Sequence, residues 1–136
     1  MFCRQDQYAL CEVPLPNNRR ADMVAIDAAG LITIVEIKVS RADLLGDGKW
    51  PDYLDYCDYF FWAVPAGFAL EPFGCDARGQ HVSGLIVADR YDAEVVRAAP
   101  LAKLSPARRK AETLRFARRA ARRLMGDLDP GLAGLD

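Results

Sequence analysis

The stretch Ala21 to Val39, ADMVAIDAAGLITIVEIKV, restricts the fold of this chain more than any other part of it. Two β-branched, apolar runs flank Asp27-Ala28-Ala29-Gly30, a short turn whose glycine can take a positive φ, and the pattern is that of a β-hairpin. A loop of Ala28 to Gly30 pairs Ile26 with Ile32, Val24 with Ile34 and Asp22 with Glu36. A loop one residue shorter or longer would shift that pairing. In the three-residue register the two carboxylates are cross-strand neighbours, with Cβ atoms roughly 5 Å apart, and they repel unless a cation or a proton lies between them.

Strand alternation sends Glu36 and Lys38 to one face and Ile37 to the other, so an ammonium group lies beside the acids. Magnesium prefers oxygen ligands in octahedral array and retains waters. Two carboxylates, the Ile37 carbonyl and a substrate phosphate are therefore a suitable set, for Mg2+ or Mn2+. A bound metal lowers the pKa of its water and offsets charge on phosphoryl oxygens, while Lys38 can orient the water, take its proton or stabilise the pentacovalent state. The expected chemistry is phosphodiester hydrolysis. The competing reading is a solvated charge pair on an exposed edge strand. Against it, Val35, Ile37 and Val39 alternate with Ile34 and Glu36 in a run apolar on both faces, as in a central strand, where charges are seldom left without a role.

Asp22 followed by Glu36-Ile37-Lys38 on a hairpin resembles the signature of the PD-(D/E)XK nuclease superfamily. The longer strings RRADMVAID, VEIKVSRADLLGDGKWPDYLDYCDYFFWAVP, GLIVAD and SPARRKAETLRFARRAARRL resemble the MmcB family of bacterial DNA repair proteins, from about residue 10 to residue 125. That resemblance implies an α/β, restriction-endonuclease-like mixed β-sheet flanked by helices. It also implies Asp22, Glu36 and Lys38 in the metal-binding and catalytic positions, and a DNA endonuclease acting in damage repair. One departure stands out. The superfamily core usually opens with a helix, often bearing a further glutamate, yet residues 2 to 7 can form little more than one helical turn. Either the chain starts late relative to its relatives, or a second copy supplies the missing packing in a homodimer. Glu12 lies in a strand-like segment and does not take the helical glutamate's role.

At 136 residues the chain is expected to be one domain, residues 1–126, followed by a short acidic tail, residues 127–136. A chain of that size buries about two thirds of its unfolded surface and needs no staples. Cys3, Cys11, Cys57 and Cys75 are widely spaced and lack a C-x-x-C pair. With His81 as the single histidine, a structural zinc is unsupported, and reduced cytoplasmic thiols fit best. His81 reads as a loop residue in RGQHVSG and Cys57 as a small core hydrophobe. The longest apolar stretch, YFFWAVPAGFAL, is interrupted by Pro65 and Gly67 and is too short to span a bilayer, and no basic-then-apolar leader opens the chain. A cytoplasmic protein with no membrane segment is expected.

Further along, the pattern predicts a strand over Ala9 to Val13 and a link containing Gly46 and Gly48. A helix follows, opened by Pro51, with Asp52 and Asp55 at its positive end. Strands are expected at Tyr59 to Val64 and Gly84 to Ala88, and an ambiguous short one at Ala93 to Val96. Ser105 to Met125 reads as a long helix capped by Ser105 with Pro106 first. Lys49 is placed to reach a phosphate and Trp50 to stack on an unpaired base, while Tyr53, Tyr56 and Tyr59 read as a half-buried helix face. Arg19 and Arg20 are either phosphate contacts or part of a solvated turn.

The net charge is −1, but its distribution is uneven. Between Ser105 and Gly126, eight arginines and lysines face Glu112 alone, giving this helix a formal +7 and leaving −8 on the remainder. Such a stripe, with Arg118 and Arg122 on it, can neutralise DNA phosphates with release of counterions. The alternatives are a pairing with acidic surface or anionic lipid, and a docking face for other DNA repair proteins. Ala107, Ala111, Leu114, Ala117, Ala121 and Met125 are expected to form its buried face. The expected protein is thus a metal-dependent nuclease acting on DNA, or failing that a catalytically inactive DNA-binding or repair-protein docking module.

Overall fold

A computed structural model describes residues 1–40, 48, 50–68 and 82–132. Lys49, Cys75, His81 and Gly46 lie outside the described residues. Six strands form one mixed sheet in sequential order: β1 (Gln7–Pro14), β2 (Arg20–Asp27), β3 (Ile32–Ile37), β4 (Tyr59–Pro65), β5 (Gly84–Ala88) and β6 (Ala93–Arg97). The β1–β2, β2–β3 and β5–β6 pairs are antiparallel, and β3–β4–β5 run parallel. With the C-terminal helix α1 (Pro106–Leu128) this is a mixed α/β fold consistent with a restriction-endonuclease-like arrangement.

The expected hairpin register is present, with Met23–Val35, Val24–Ile34, Ala25–Thr33 and Ile26–Ile32 as partners. The turn holds it there. Gly30 has φ +83°, a conformation that costs a side chain with Cβ but not glycine, and its N–H reaches the Asp27 carbonyl at 3.1 Å. Asp27 Oδ1 accepts from the N–H groups of Ala29 and Leu31, both at 2.9 Å, so the loop amides are satisfied locally.

Parallel central strands need cover on both faces, because both are apolar. On the face bearing Ile34 and Glu36, the 3-10 helix Trp50–Tyr56 lays its aromatics on β4. Tyr53 stacks on Phe60 at 6.0 Å between ring centroids. Phe60 meets Trp62 edge-on at 5.1 Å, and Trp50 lies 5.8 Å from both. The sequence predicted a helix here with its tyrosines turned inward, and Tyr53 and Tyr56 are buried as expected. The opposite face has Val35, Ala63 and Ile86 at its centre. Met1 and Phe2, from a short 3-10 turn over Phe2–Gln5, pack there along with Met23, Phe61, Ala93 and Val95. Gly84 is required where β5 passes the β4 side chains: a Cβ there would collide with the Phe61 ring and come within 2.7 Å of the Ala99 amide nitrogen.

The chain divides into two compact units, Met1–Lys103 and Leu104–Asp136. In the second, Ser105 caps α1 by accepting from the Arg108 N–H at 3.2 Å, with Pro106 at the first position, as the sequence predicted. The helix runs on through Asp127 and Leu128, so the compositional boundary after residue 126 falls inside it, and a 3-10 turn over Pro130–Leu132 follows. The predicted buried face is not the shielded one. Leu114 and Met125 are 58% and 55% exposed, and Ala107, Ala117 and Ala121 are exposed as well; Ala111 alone of the six is half-buried. The shielded residue is Glu112, at 7% exposure, which accepts from Arg115 at 2.7 Å and pairs with Arg108 at 3.9 Å. A face built mainly of alanine carries too little apolar area to dictate which side of a helix is covered.

Candidate functional site

At the open end of the hairpin, beyond the Met23–Val35 pair, the ladder is continued by side chains. The Asp22 N–H donates to Glu36 Oε1 at 2.9 Å, and the Ile37 N–H donates to Asp22 Oδ2 at 2.8 Å. Each acid therefore reaches across to a backbone amide of the other's strand, one step beyond the last ladder pair. Glu36 is 4% exposed, which makes it a buried acid in a central strand, while Asp22 is half-buried. Burying a charge is costly unless it is paired or hydrogen-bonded, so these two amides are the first part of the compensation.

Lys38 follows on the same face. Its N–H donates to the Ala63 carbonyl at 2.9 Å, which keeps β3 and β4 together past the last strand residue. Its side chain is 9% exposed, and Nζ lies 5.8 Å from the centroid of the Trp62 ring. Trp62 is the β4 partner of Glu36 and is itself flanked by Trp50. The aromatic wall that forms the core on this face thus also backs the lysine, and a cation over an indole is favourable when partly desolvated.

The donor chemistry suits a hard cation. Asp22, Glu36 and the Ile37 backbone offer oxygen alone, and one amide hydrogen bond occupies one of about four lone-pair directions on a carboxylate. Among the described residues no group of three or more His, Cys, Asp and Glu side chains could hold a metal, so a soft-metal or all-protein cage is not what this arrangement provides. Two carboxylates and a carbonyl, completed by water and phosphate, match the way magnesium is usually held.

The remaining sequence-predicted residues divide. Arg19 is tied into the fold: its carbonyl accepts from the Leu15 N–H at 2.8 Å, and its Nε donates to Asp52 Oδ2 at 3.2 Å. Arg20 is 66% exposed, its guanidinium 4.0 Å from Glu12 Oε1, and its carbonyl accepts from the Tyr53 hydroxyl at 3.3 Å. Trp50 is half-buried against Phe60 and Trp62, on the same aromatic wall. Arg118 and Arg122 are both exposed on α1, in the second unit.

Two features of this region, the burial of Asp58 and the backbone conformation of Glu12, have no signal in the sequence. Asp58, 1% exposed, accepts from the Ile32 N–H at 2.7 Å. Its own N–H donates to the Ile32 carbonyl at 2.8 Å, which pins the start of β3 to the approach of β4. Beside it, burial pushes the Cys57 thiol well above its ordinary range, so that cysteine packs as a protonated hydrophobe, as expected. Glu12 sits in β1 between the Cys11–Met23 and Val13–Ala21 pairs with φ +52°, a left-handed conformation unusual for a residue with a Cβ. No signal in a single sequence marks such a position.

The model for DNA repair protein MmcB-like matches residues 1–131 of the chain. Among solved structures, a protein of unknown function from Silicibacter pomeroyi is similar, at 42% identity and a TM-score of 0.84, over 96% of this chain and 85% of that one. No curated protein matches. Among the described residues no helix is long and apolar enough to cross a membrane.

Proposed function

The chain belongs to the MmcB-like family of DNA repair proteins, and we propose that it is a metal-dependent DNA endonuclease in which Asp22, Glu36 and the Ile37 carbonyl hold Mg2+ or Mn2+ and Lys38 assists the attacking water. The observation that carries this reading is the reciprocal pair of hydrogen bonds that hold two like-charged acids opposite one another. Beyond the two backbone donors they satisfy, two like charges so placed repel unless a cation or a proton lies between them.

Asp22 and Glu36 are already oriented by backbone amides, so little side-chain freedom remains to be lost when they take up a ligand. The Ile37 N–H points toward β2, and in a strand the carbonyl of a residue leaves on the same edge as its N–H, which brings that oxygen to the acids. Lys38, its Nζ 5.8 Å from the ring of Trp62, the β4 partner of Glu36, is the group that orients a water and stabilises charge growing on the phosphoryl oxygens in this proposal. When bound, the metal supplies Lewis-acid polarisation of the phosphate and a lowered pKa for its water. The arginines of α1 supply the cationic surface that DNA phosphates need, and free Cys3, Cys11 and Cys57 suit a reducing cytoplasm.

The test is nicking of supercoiled, single-stranded and branched DNA in Mg2+ or Mn2+. Lys38→Ala is expected to abolish nicking while DNA affinity is retained, and reversing charge at Arg118 and Arg122 is expected to weaken affinity and its salt dependence. Wild-type protein that binds DNA but nicks none of these substrates in either metal would leave a DNA-binding module in place of a nuclease.

A further inference from the structure

Among the described residues, two aromatic side chains are largely exposed, Tyr8 at 62% and Tyr91 at 81%. They lie at opposite ends of the sheet. Tyr8 pairs with Ile26 and Ile26 with Ile32, at the turn end of the β2–β3 hairpin. Tyr91 belongs to the turn between β5 and β6, which leaves the sheet just beyond Ala88. Strands β3, β4 and β5 are parallel, with Ile37, Ala63 and Ile86 level across them, so this turn emerges at the same end as Glu36 and Lys38. Two strand spacings, about 10 Å, separate β3 from β5. Trp50 is half-buried against Phe60 and Trp62, and the aromatic surface offered outward at this end is that of Tyr91.

The turn carries this tyrosine on a pinned backbone. Asp89 Oδ1 accepts from the N–H groups of Tyr91 and Asp92 at 2.8 and 2.9 Å, the Asp89 N–H donates to the Asp92 carbonyl at 2.9 Å, and Asp92 Oδ1 accepts from the Ala93 N–H at 2.8 Å. Little backbone freedom is left to lose when the ring takes up a ligand. The Arg90 guanidinium lies 4.9 Å from the centroid of the Tyr91 ring, a cation–π contact that covers one ring face and leaves the other to solvent. Charge at the tip cancels. Asp89 and Asp92 are offset by Arg90 and by Arg4, whose guanidinium is 2.7 Å from Asp92, so the tip is not a phosphate clamp of the kind α1 presents, and what it offers is π surface. The family is one of DNA repair proteins, and a base is the flat ligand that DNA supplies. Only an unpaired base can leave its stack to lie on a side chain. We propose that Tyr91 stacks on an unpaired base beside the cut, so that the substrate is DNA that is single-stranded, frayed or branched at the site. This rests on the reading above in taking DNA as the ligand of this end of the sheet, whether or not the strand is cut.

Fluorescence anisotropy of labelled oligonucleotides in EDTA tests it on the full chain, because binding is then read without cleavage. Tyr91→Ala, checked for native circular dichroism, is expected to weaken binding of a single-stranded oligothymidylate by about fivefold or more, the lower end of what one base stacked on an aromatic side chain contributes. Binding of a blunt duplex of the same length should not change. Tyr91→Phe, which keeps the ring, and Tyr8→Ala, at the far end of the sheet, are expected to bind like wild type. The slope of affinity against salt should be the same in Tyr91→Ala as in wild type, since no phosphate contact is removed. Unchanged single-strand binding by Tyr91→Ala overturns the proposal, as does an equal loss on the duplex. So does a loss in Tyr91→Phe or Tyr8→Ala as large as that in Tyr91→Ala, which would take the effect away from a stacked Tyr91 ring. Wild-type protein that binds no single strand at micromolar concentration overturns it too, whereas absence of nicking in Mg2+ or Mn2+ bears on the nuclease reading alone.

Discussion

At the turn end of the β2–β3 hairpin one aspartate serves two amides of its own loop, whereas at the open end two acids serve each other's strands. Asp27 is half-buried, bears no like-charged partner across the ladder, and closes a turn that water can reach. Asp22 and Glu36 are opposite one another at the end of a central strand, one of them buried, with a buried lysine next along. Both arrangements satisfy backbone donors. Only the second sets two negative charges side by side, which is electrostatically unfavourable for folding alone and favourable for binding a cation. Asp58 provides a third case, a single buried acid shared between β3 and β4, and it separates burial from like-charge pairing.

That contrast can be broken by substitution. The largest effect is expected from Glu36→Gln, which keeps an acceptor for the Asp22 N–H but removes one charge. Metal-dependent cleavage should fall by about a thousandfold or more, corresponding to the several kcal/mol of charge stabilisation that a bound metal supplies. The metal-free variant should be as stable as wild type or more so, because the repulsion is relieved; thermal melts in EDTA beside a nicking assay check both. Asp58→Ala should do the reverse, costing roughly 2–3 kcal/mol in urea titrations because the Ile32 N–H loses its buried acceptor. In that variant any lost activity should return at temperatures where the protein is folded. Asp27→Ala should cost about 1 kcal/mol through the two loop amides it leaves to water, with cleavage unchanged.

The smallest effect concerns the β5–β6 turn. Asp89 and Asp92 have their carboxyls held low, chiefly by backbone N–H bonds and, for Asp92, the Arg4 guanidinium. A carboxyl lowered in the folded state adds stability above the unfolded aspartate range and loses it as pH falls through the lowered value. Asp92→Asn should therefore flatten slightly the acid limb of the melting temperature against pH, an effect kept small by full solvent exposure.

The hairpin, its register and the facing acids were legible in the sequence because alternation, a turn glycine and two charges within apolar strands are all local signals. The β5 bounds and the cap of α1 were legible for the same reason. Asp58 was not: in PDYLDYCDYF it is one of three acids at similar spacing, and what distinguishes it is a contact with Ile32, 26 residues earlier. The Arg19–Asp52 pair is likewise a tertiary contact between residues that read separately as a phosphate ligand and a helix-end acid. On α1 the face expected to be buried is mostly exposed. Amphipathicity shows only that a face is suited to cover, and says nothing of which molecule provides it.

A divalent ion between Asp22 and Glu36 is tested most directly by calorimetric titration of Mg2+ and Mn2+ into wild type and Glu36→Gln. The expected result is one site per chain in wild type, lost in the variant, with a metal-induced rise in stability of about 2.7 kcal/mol at a hundredfold excess over the dissociation constant. Equal binding by both proteins, or none by wild type at millimolar metal, would contradict it.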